Sequence, residues 1–462
     1  MLTSAHTEQS NARSSWIARL RHTLGLDRAI AFTVLARGWA GFAGLITVTL
    51  IARFLSAAEQ GYYFTFGSLV AMQLVFELGF SVVILQLATH ECAQLTVSPD
   101  GTISGDPVAH ARLASVLQKS VRWYTIAAGV MVAAVVSGGI RFFSVHQAAG
   151  THVAWILPWC LVVCAAGFTF QIDPIFSFLE GCGYVSHVAH TRFWQAALGS
   201  ALAWTALLTH HGLYAPAMTI CGQAIAGVAF LASRRKLVIS LLRFNSGENR
   251  IDWWREVWPF QWRIAISYSC GFFIFQLFNP VLFAFWGPVV AGQMGLSLSI
   301  GNMLSAVAIA WVNTKAAPFG TMIARREYRR LDQVFFRSVS QATTLCIVGS
   351  LAAWLTCVYL NIHGMAFAHR MLEPLPFCLL LLAVICNQVV AAEALYLRAH
   401  KQEKFLINSV VGAIFMGTST YLLGRSYGAL GVTAGYLASA VLIGLGLGTW
   451  TFLKYRSLWH AQ

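Results

Sequence analysis

Few side chains in this sequence could do chemistry, and the most informative are those set inside long apolar runs. Arg37 stands eight residues into the first such run, about 12 Å from its start at 1.5 Å per residue. Helical spacing aligns it with Thr33, Gly41 and Gly44. Arg263 stands five residues past Trp258, aligned with Ser267 and Cys270. Gln73, Glu77 and Ser81 recur at i, i+4 and i+8, one polar stripe on an otherwise apolar helix. Asp173 follows Gln171 and precedes Pro174, and Asn302, Ser305 and Asn313 share a face. A cation at mid-bilayer costs ~2.5–3.5 kcal/mol on insertion scales, so each such residue needs a partner or a wet cavity. For Arg37 and Arg263 the functional reading is a cation lining a cavity, and the structural one is a side chain snorkelling to the interface. Glu77 is expected to face the bundle, with Arg37 as its candidate partner, in a substrate, proton or purely structural role. Pro174 marks a kink, and Asp173 either serves that bend or acts at a site. Glu393 is expected to pair with Arg398.

The elements that hold these residues are membrane spans. Hydrophobic residues make up 57% and charged residues 10% of the 462 residues, with a mean hydropathy of +0.65. A soluble globule is about a quarter charged. The pattern predicts an all-α integral membrane protein with about twelve spans: 29–54, 62–89, 121–141, 153–179, 189–209, 213–233, 258–280, 285–312, 335–360, 375–397, 405–424 and 429–453. The hairpin from Trp258 to Gly320 turns at a segment holding Pro280 and Pro288. Residues 1–28 carry Arg13, Arg19, Arg21 and Arg28, with Trp16, Leu20 and Leu24 at helical spacing, which suits an interfacial segment. No cleavable signal peptide is expected there.

The formal charge of +14 sits between the apolar runs, which argues for a topology signal and against a nucleic-acid partner. Counted over alternating loops, 25 Lys and Arg fall on one side and four on the other, with Arg37 and Arg263 inside spans. The positive-inside rule then places both termini in the cytoplasm. The basic stretch 234–257, ending in Trp253, Trp254 and Trp258, divides the chain into two lobes of six spans. These are residues 29–233 and 258–453, followed by a tail, 454–462. LSAAEQGYYFTFGSL in the first half and WGPVVAGQMGLSLSI in the second place Gly61 and Gly292 before similar apolar runs. Two parallel repeats with a cavity between them are expected.

No phosphate loop, nucleophile elbow or large acidic loop is present, so an enzyme is not expected. Eight cysteines (160, 164, 221, 270, 346, 357, 378 and 386) lie in spans, where cysteine acts as a small hydrophobe. Cys160 and Cys164 are one turn apart, but no His or acid completes a metal set. No metal or cofactor is expected.

WPFQWRIAISYSCGFFIFQLFNPVLFAFWGPVVAGQMGLSLSI, followed by WVNTKAAPFGTMIARREYRRLD, resembles the polysaccharide and lipid-linked oligosaccharide flippases. LIARFLSAAEQGYYFTFGSLVAMQLVFELGF (50–80) resembles their usual opening. They belong to the multidrug/oligosaccharidyl-lipid/polysaccharide (MOP) exporter superfamily. The resemblance implies two six-helix lobes around a V-shaped cavity in the bacterial inner membrane. The implied activity is transfer of undecaprenyl-diphosphate-linked sugar repeats, with Arg37 and Arg263 attracting the diphosphate. Glu77, Gln73, Asp173, Asn302 and Asn313 would meet sugars or line the cavity. Partners would be the lipid-linked oligosaccharide, membrane lipid, a polysaccharide polymerase or export protein, and a coupling proton or sodium ion. The multidrug branch often carries an acid in its first helix, and none stands in span 1. A cation-coupled small-molecule exporter and a non-transporting scaffold docking partners on its basic loops remain the alternatives.

Overall fold

The computed structural model describes residues 28–98, 102–147, 153–245, 247, 250–400 and 405–460. The interfacial reading of the N-terminal segment falls on residues 1–27, outside that range. Each of the twelve expected spans lies largely within helix. Helix α1 (Arg28–Phe54) is followed by α2 (Ala57–Val70), which opens on a reciprocal cap. Ser56 Oγ accepts from the Glu59 N–H (3.2 Å), and Glu59 returns the bond to the Ser56 N–H (2.8 Å). The second span then breaks twice, into α3 (Gln73–Glu77) and α4 (Phe80–Cys92), with a 43° bend. The bend is made by Leu78 (φ 54°) and Gly79 (φ 63°), two successive left-handed residues.

A hairpin of β1 (Leu95–Val97) and β2 (Ile103–Gly105), paired antiparallel, leads to α5 (Pro107–His146). Asp106 caps α5 and Pro107 occupies its first turn, where a missing N–H costs nothing. At 40 residues α5 begins well before the expected 121–141 span. Then come α6 (Ile156–Gly181), α7 (Val185–Leu208) and α8 (Ala215–Ser233). Helices α7 and α8 cross at Gly199 and Gly222, each so close to the other backbone that a Cβ would stand 2.7–2.8 Å from it.

The 234–257 stretch is not plain loop. It holds α9 (Arg235–Arg243) and a π turn at Trp253–Val257. Gln118 of α5 covers the free carbonyls at the end of α9, donating to Leu241 (3.0 Å) and Phe244 (2.7 Å). The expected hairpin is occupied by helices α10 (Trp258–Phe275) and α11 (Phe278–Asn313). Pro280 lies in the first turn of α11, and the helical geometry breaks at Gly287 (φ 84°), just before Pro288. The remaining helices are α12 (Ala316–Ala324), α13 (Tyr328–Ile362), α14 (Pro374–Ala399), α15 (Leu406–Ser439) and α16 (Trp450–His460). A left-handed Gly428 turns the chain inside α15, and a ten-residue π segment (Ala440–Thr449) precedes α16.

Seven helical runs among the described residues are long and apolar enough to cross a membrane, eight with the bent pair. Two of them, at 64 and 55 residues, hold more than one crossing of ~20 residues. Their outer faces are apolar and exposed, as at Val348, Leu351, Leu355 and Ile362 on α13, which is how a lipid-facing helix differs from a soluble one. The main core packs tightest around Tyr62, Phe66, Phe143, Trp159 and Phe283, all fully buried. Tyr62 and Phe143 meet the Phe283 ring at 4.9 and 5.2 Å, so this cluster joins the two halves. A second core lies around Phe319, Phe335, Tyr396 and Phe452.

Candidate functional site

The first and second halves of the chain meet along α1–α4, α10 and α11. At one end, hereafter the Gly61 end, α2 crosses α11. A Cβ on Gly61 would lie 1.9 Å from the Pro288 carbonyl oxygen, and one on Gly292 would lie 2.9 Å from the Gly61 nitrogen. Only glycine permits this approach. Gln60, 1% exposed, donates across it to Gly292 O (2.9 Å) and Arg370 O (2.8 Å). Ser297 accepts from the Leu372 N–H (3.0 Å), tying the 368–372 loop to α11. Deeper in, Asn279 donates to Ser68 Oγ (3.0 Å).

Toward the opposite, Cys92 end, the contacts change character. Gly79 faces Ile264 and Tyr268 of α10, and Gln261, 3% exposed, donates to Leu78 O (2.7 Å). On the other flank, Gly41 and Gly44 of α1 face Val307 (4.0 Å) and Met303 (3.7 Å) of α11. The small face predicted around Arg37 is therefore a helix–helix contact at Gly41 and Gly44. Arg37 itself lies on α1, and its side chain is outside the description.

The polar stripe of the second span survives the break. Ser81 donates to Glu77 (2.7 Å) and meets Tyr124 Oη of α5 at 3.2 Å. Asp173 of α6 stands close enough to feel both the Glu77 carboxylate and the Arg192 guanidinium. Tyr124 lies in the field of Glu77 and Asp173 and near Tyr268 of α10. Glu77, Ser81 and Tyr124 are thus joined side chain to side chain beside the inter-half contact, a short polar chain on which a cation or a row of hydroxyls could bind. Gln73 is half-buried on α3.

The other predicted residues do not join it. Arg263 is exposed on α10, its guanidinium 5.4 Å from the Trp262 ring. The buried polar face of that helix belongs to Gln261. Asn302 is exposed on α11 and Asn313 is half-buried at its end, while Ser305 between them donates to Gln388 of α14 (3.2 Å). Glu393 is 4% exposed and accepts from Thr449 Oγ1 (2.9 Å), a hydroxyl at the end of the π segment. Gln60, Gln261 and Gln388 escaped the sequence reading. Their only signal was an amide in an apolar run.

At the Cys92 end, Arg112 of α5 bonds Glu91 (2.9 Å) and Glu256 (2.6 Å), and Lys119 donates to Ile251 O. These bonds fasten the 234–257 stretch to the first half. The Arg112 bond holds the Glu256 carboxyl below its usual range, against a smaller opposing effect of burial. No group of three or more His, Cys, Asp and Glu among the described residues is placed to hold a metal ion.

No family profile and no curated protein matches the chain. Solved structures do. One is the inward-facing form of a multidrug resistance MATE family transporter of the MOP superfamily, with a TM-score of 0.56 at 12% identity. It covers 91% of this chain and 99% of that one. The lipid II flippase MurJ in an inward closed conformation gives 0.56 at 12% identity, covering 93% and 90%. The Vibrio cholerae MATE transporter VcmN gives 0.56 at 12% identity, covering 94% and 98%. At such identities the likeness is one of fold: an all-α membrane architecture shared by MATE proteins and MurJ.

Proposed function

We propose that the chain is a MOP-superfamily transporter that flips lipid-linked oligosaccharide from the cytoplasmic to the periplasmic leaflet of a bacterial inner membrane. Its lobes, residues 29–233 and 258–453, would rock about the Gly61–Gly292 crossing, with both termini cytoplasmic. The observation that carries this reading is that crossing. The first and second halves of the chain approach backbone to backbone there, as a two-lobed alternating-access protein would at its closed end. One structural neighbour is a lipid II flippase, which supports a lipid-linked substrate. A diphosphate–sugar head cannot cross hydrocarbon uncompensated. Arg37 and Arg263 would draw the diphosphate, while Glu77, Gln73, Asp173, Asn302 and Asn313 would meet hydroxyls along the path.

The acid of the Glu77–Ser81–Tyr124 chain favours a second reading, a cation-coupled exporter of small molecules. Complementation of a strain lacking its own copy separates the two. Arg37→Ala and Arg263→Ala at matched membrane levels should lose surface polysaccharide and accumulate lipid-linked precursor on the cytoplasmic face. Normal polysaccharide from both variants refutes the cationic path. Dependence on Glu77→Gln and Asp173→Asn alone, with drug sensitivity as the phenotype, selects the exporter.

A further inference from the structure

Eight of the ten cysteines sit within apolar spans; the remaining two, Cys92 and Cys182, do not, and they find each other. Ninety residues apart in sequence, they hold their sulfurs 3.0 Å apart, and both thiols are free and half-buried. Local packing fixes this meeting. One residue before Cys182, a Cβ on Gly181 would stand 2.6 Å from Leu85 O and 2.8 Å from the Ala88 Cβ, so α4 and α6 touch almost backbone to backbone. Cys182 caps α6, its N–H bonded to Phe178 O (3.0 Å), and Cys92 is the last residue of α4. Beside it, Glu91 is 4% exposed and fixed by Arg112. Two sulfurs on different helices that approach this closely have side chains directed at one another, which is the requirement a disulfide places on its cysteines.

We propose that Cys92 and Cys182 are a modification site, a reversible dithiol–disulfide pair that staples the end of α4 to the end of α6. With a peroxide as oxidant, one thiolate attacks the peroxide oxygen, giving a sulfenic acid and releasing hydroxide or alkoxide. The second thiol then displaces water from that sulfur, forming the S–S bond. Two electrons pass to the peroxide, and a dithiol reductant reverses the step by exchange. In a reducing compartment the pair rests as thiols and closes only under oxidant excess. The staple matters because α4 is the distal arm of the broken second span. Once tied to α6, the arm cannot swing about Leu78–Gly79. The pair's chemistry does not depend on what the protein carries.

The test uses the full-length protein in its own membranes, treated with hydrogen peroxide, alkylated with N-ethylmaleimide and digested for mass spectrometry. The expected result is one linked pair of peptides containing Cys92 and Cys182, released by dithiothreitol, with the other eight cysteines alkylated. Cys182→Ser should abolish the link and leave Cys92 trappable by dimedone as a sulfenic acid. Should Cys92 and Cys182 alkylate after oxidation as fully as the other eight, or link only between two copies of the chain, the proposal is wrong. The wild-type arm decides this without a variant.

Discussion

Two buried glutamines, one from each half, reach across to backbone carbonyls of the other half, and the way they differ is instructive. Gln60 donates twice, at 2.9 and 2.8 Å, beside a crossing that only Gly61 and Gly292 allow. Gln261 donates once, at 2.7 Å, to Leu78, which sits at a helix break in the left-handed region. Both leave their own carboxamide oxygen buried without a partner, a cost of ~1–3 kcal/mol each. The first clasp is therefore backbone packing reinforced by amides. The second is one amide holding a bent, strained pair of residues. We expect a molecule built this way to release the Cys92 end first, because less is lost there.

The comparison breaks most decisively at Gly61. Gly61→Val would drive a side chain into the Pro288 carbonyl, 1.9 Å from the Cβ position. Overpacking of this kind costs ~1–3 kcal/mol and occasionally more. We expect the upper end, read as thermal unfolding in detergent. Wild-type stability would mean that α2 and α11 do not cross in the resting protein. Gln60→Ala should cost about 2 kcal/mol, since it strips the donor from two carbonyls, whereas Gln261→Ala should cost about 1 kcal/mol. Hydrogen exchange localises the two effects. Gln60→Ala should raise exchange in α2 and the start of α11, and Gln261→Ala around residues 73–83. Equal costs, or exchange rising at the same end in both variants, would erase the asymmetry.

The helical, membrane-spanning character was legible because period and length carry it: twelve apolar runs fall on helix. Gly61 and Gly292 could be singled out from the similar apolar runs that follow them, although nothing in the sequence says that these two glycines touch. The Glu77 stripe was readable because i, i+4 spacing is local, and Ser81 does bond Glu77. Long-range pairing was not readable. Gln60 meets a residue 232 positions away and Gln261 one 183 away, and an amide in an apolar run looks the same whether it bonds its own helix or another. The break at Leu78–Gly79 was hidden for a different reason. It contains no proline, and packing against Ile264 and Tyr268 holds it open. Glu393 is a further case: its Thr449 donor lies 56 positions away.

The smallest effect concerns what secures the weaker clasp. Arg112 ties Glu256, just ahead of α10, to the first half, so the helix carrying Gln261 is anchored at its start. The Arg112 bond depresses the Glu256 carboxyl below its ordinary value of ~4.3. A depressed carboxyl contributes stability above its unfolded value and loses it as pH falls through the folded one. Glu256 is 38% exposed at its side chain, so solvent screens the pair and the contribution should stay near ~0.5 kcal/mol. Glu256→Gln should accordingly unfold slightly earlier than wild type at pH 7. The gap should close below the carboxylate range, where protonated Glu256 matches the amide in charge. Unfolding temperatures of both proteins between pH 7 and pH 3 measure it. A gap that persists at low pH would assign the bond to packing, and the Cys92 end would then be held by Gln261 without electrostatic help from the 234–257 stretch.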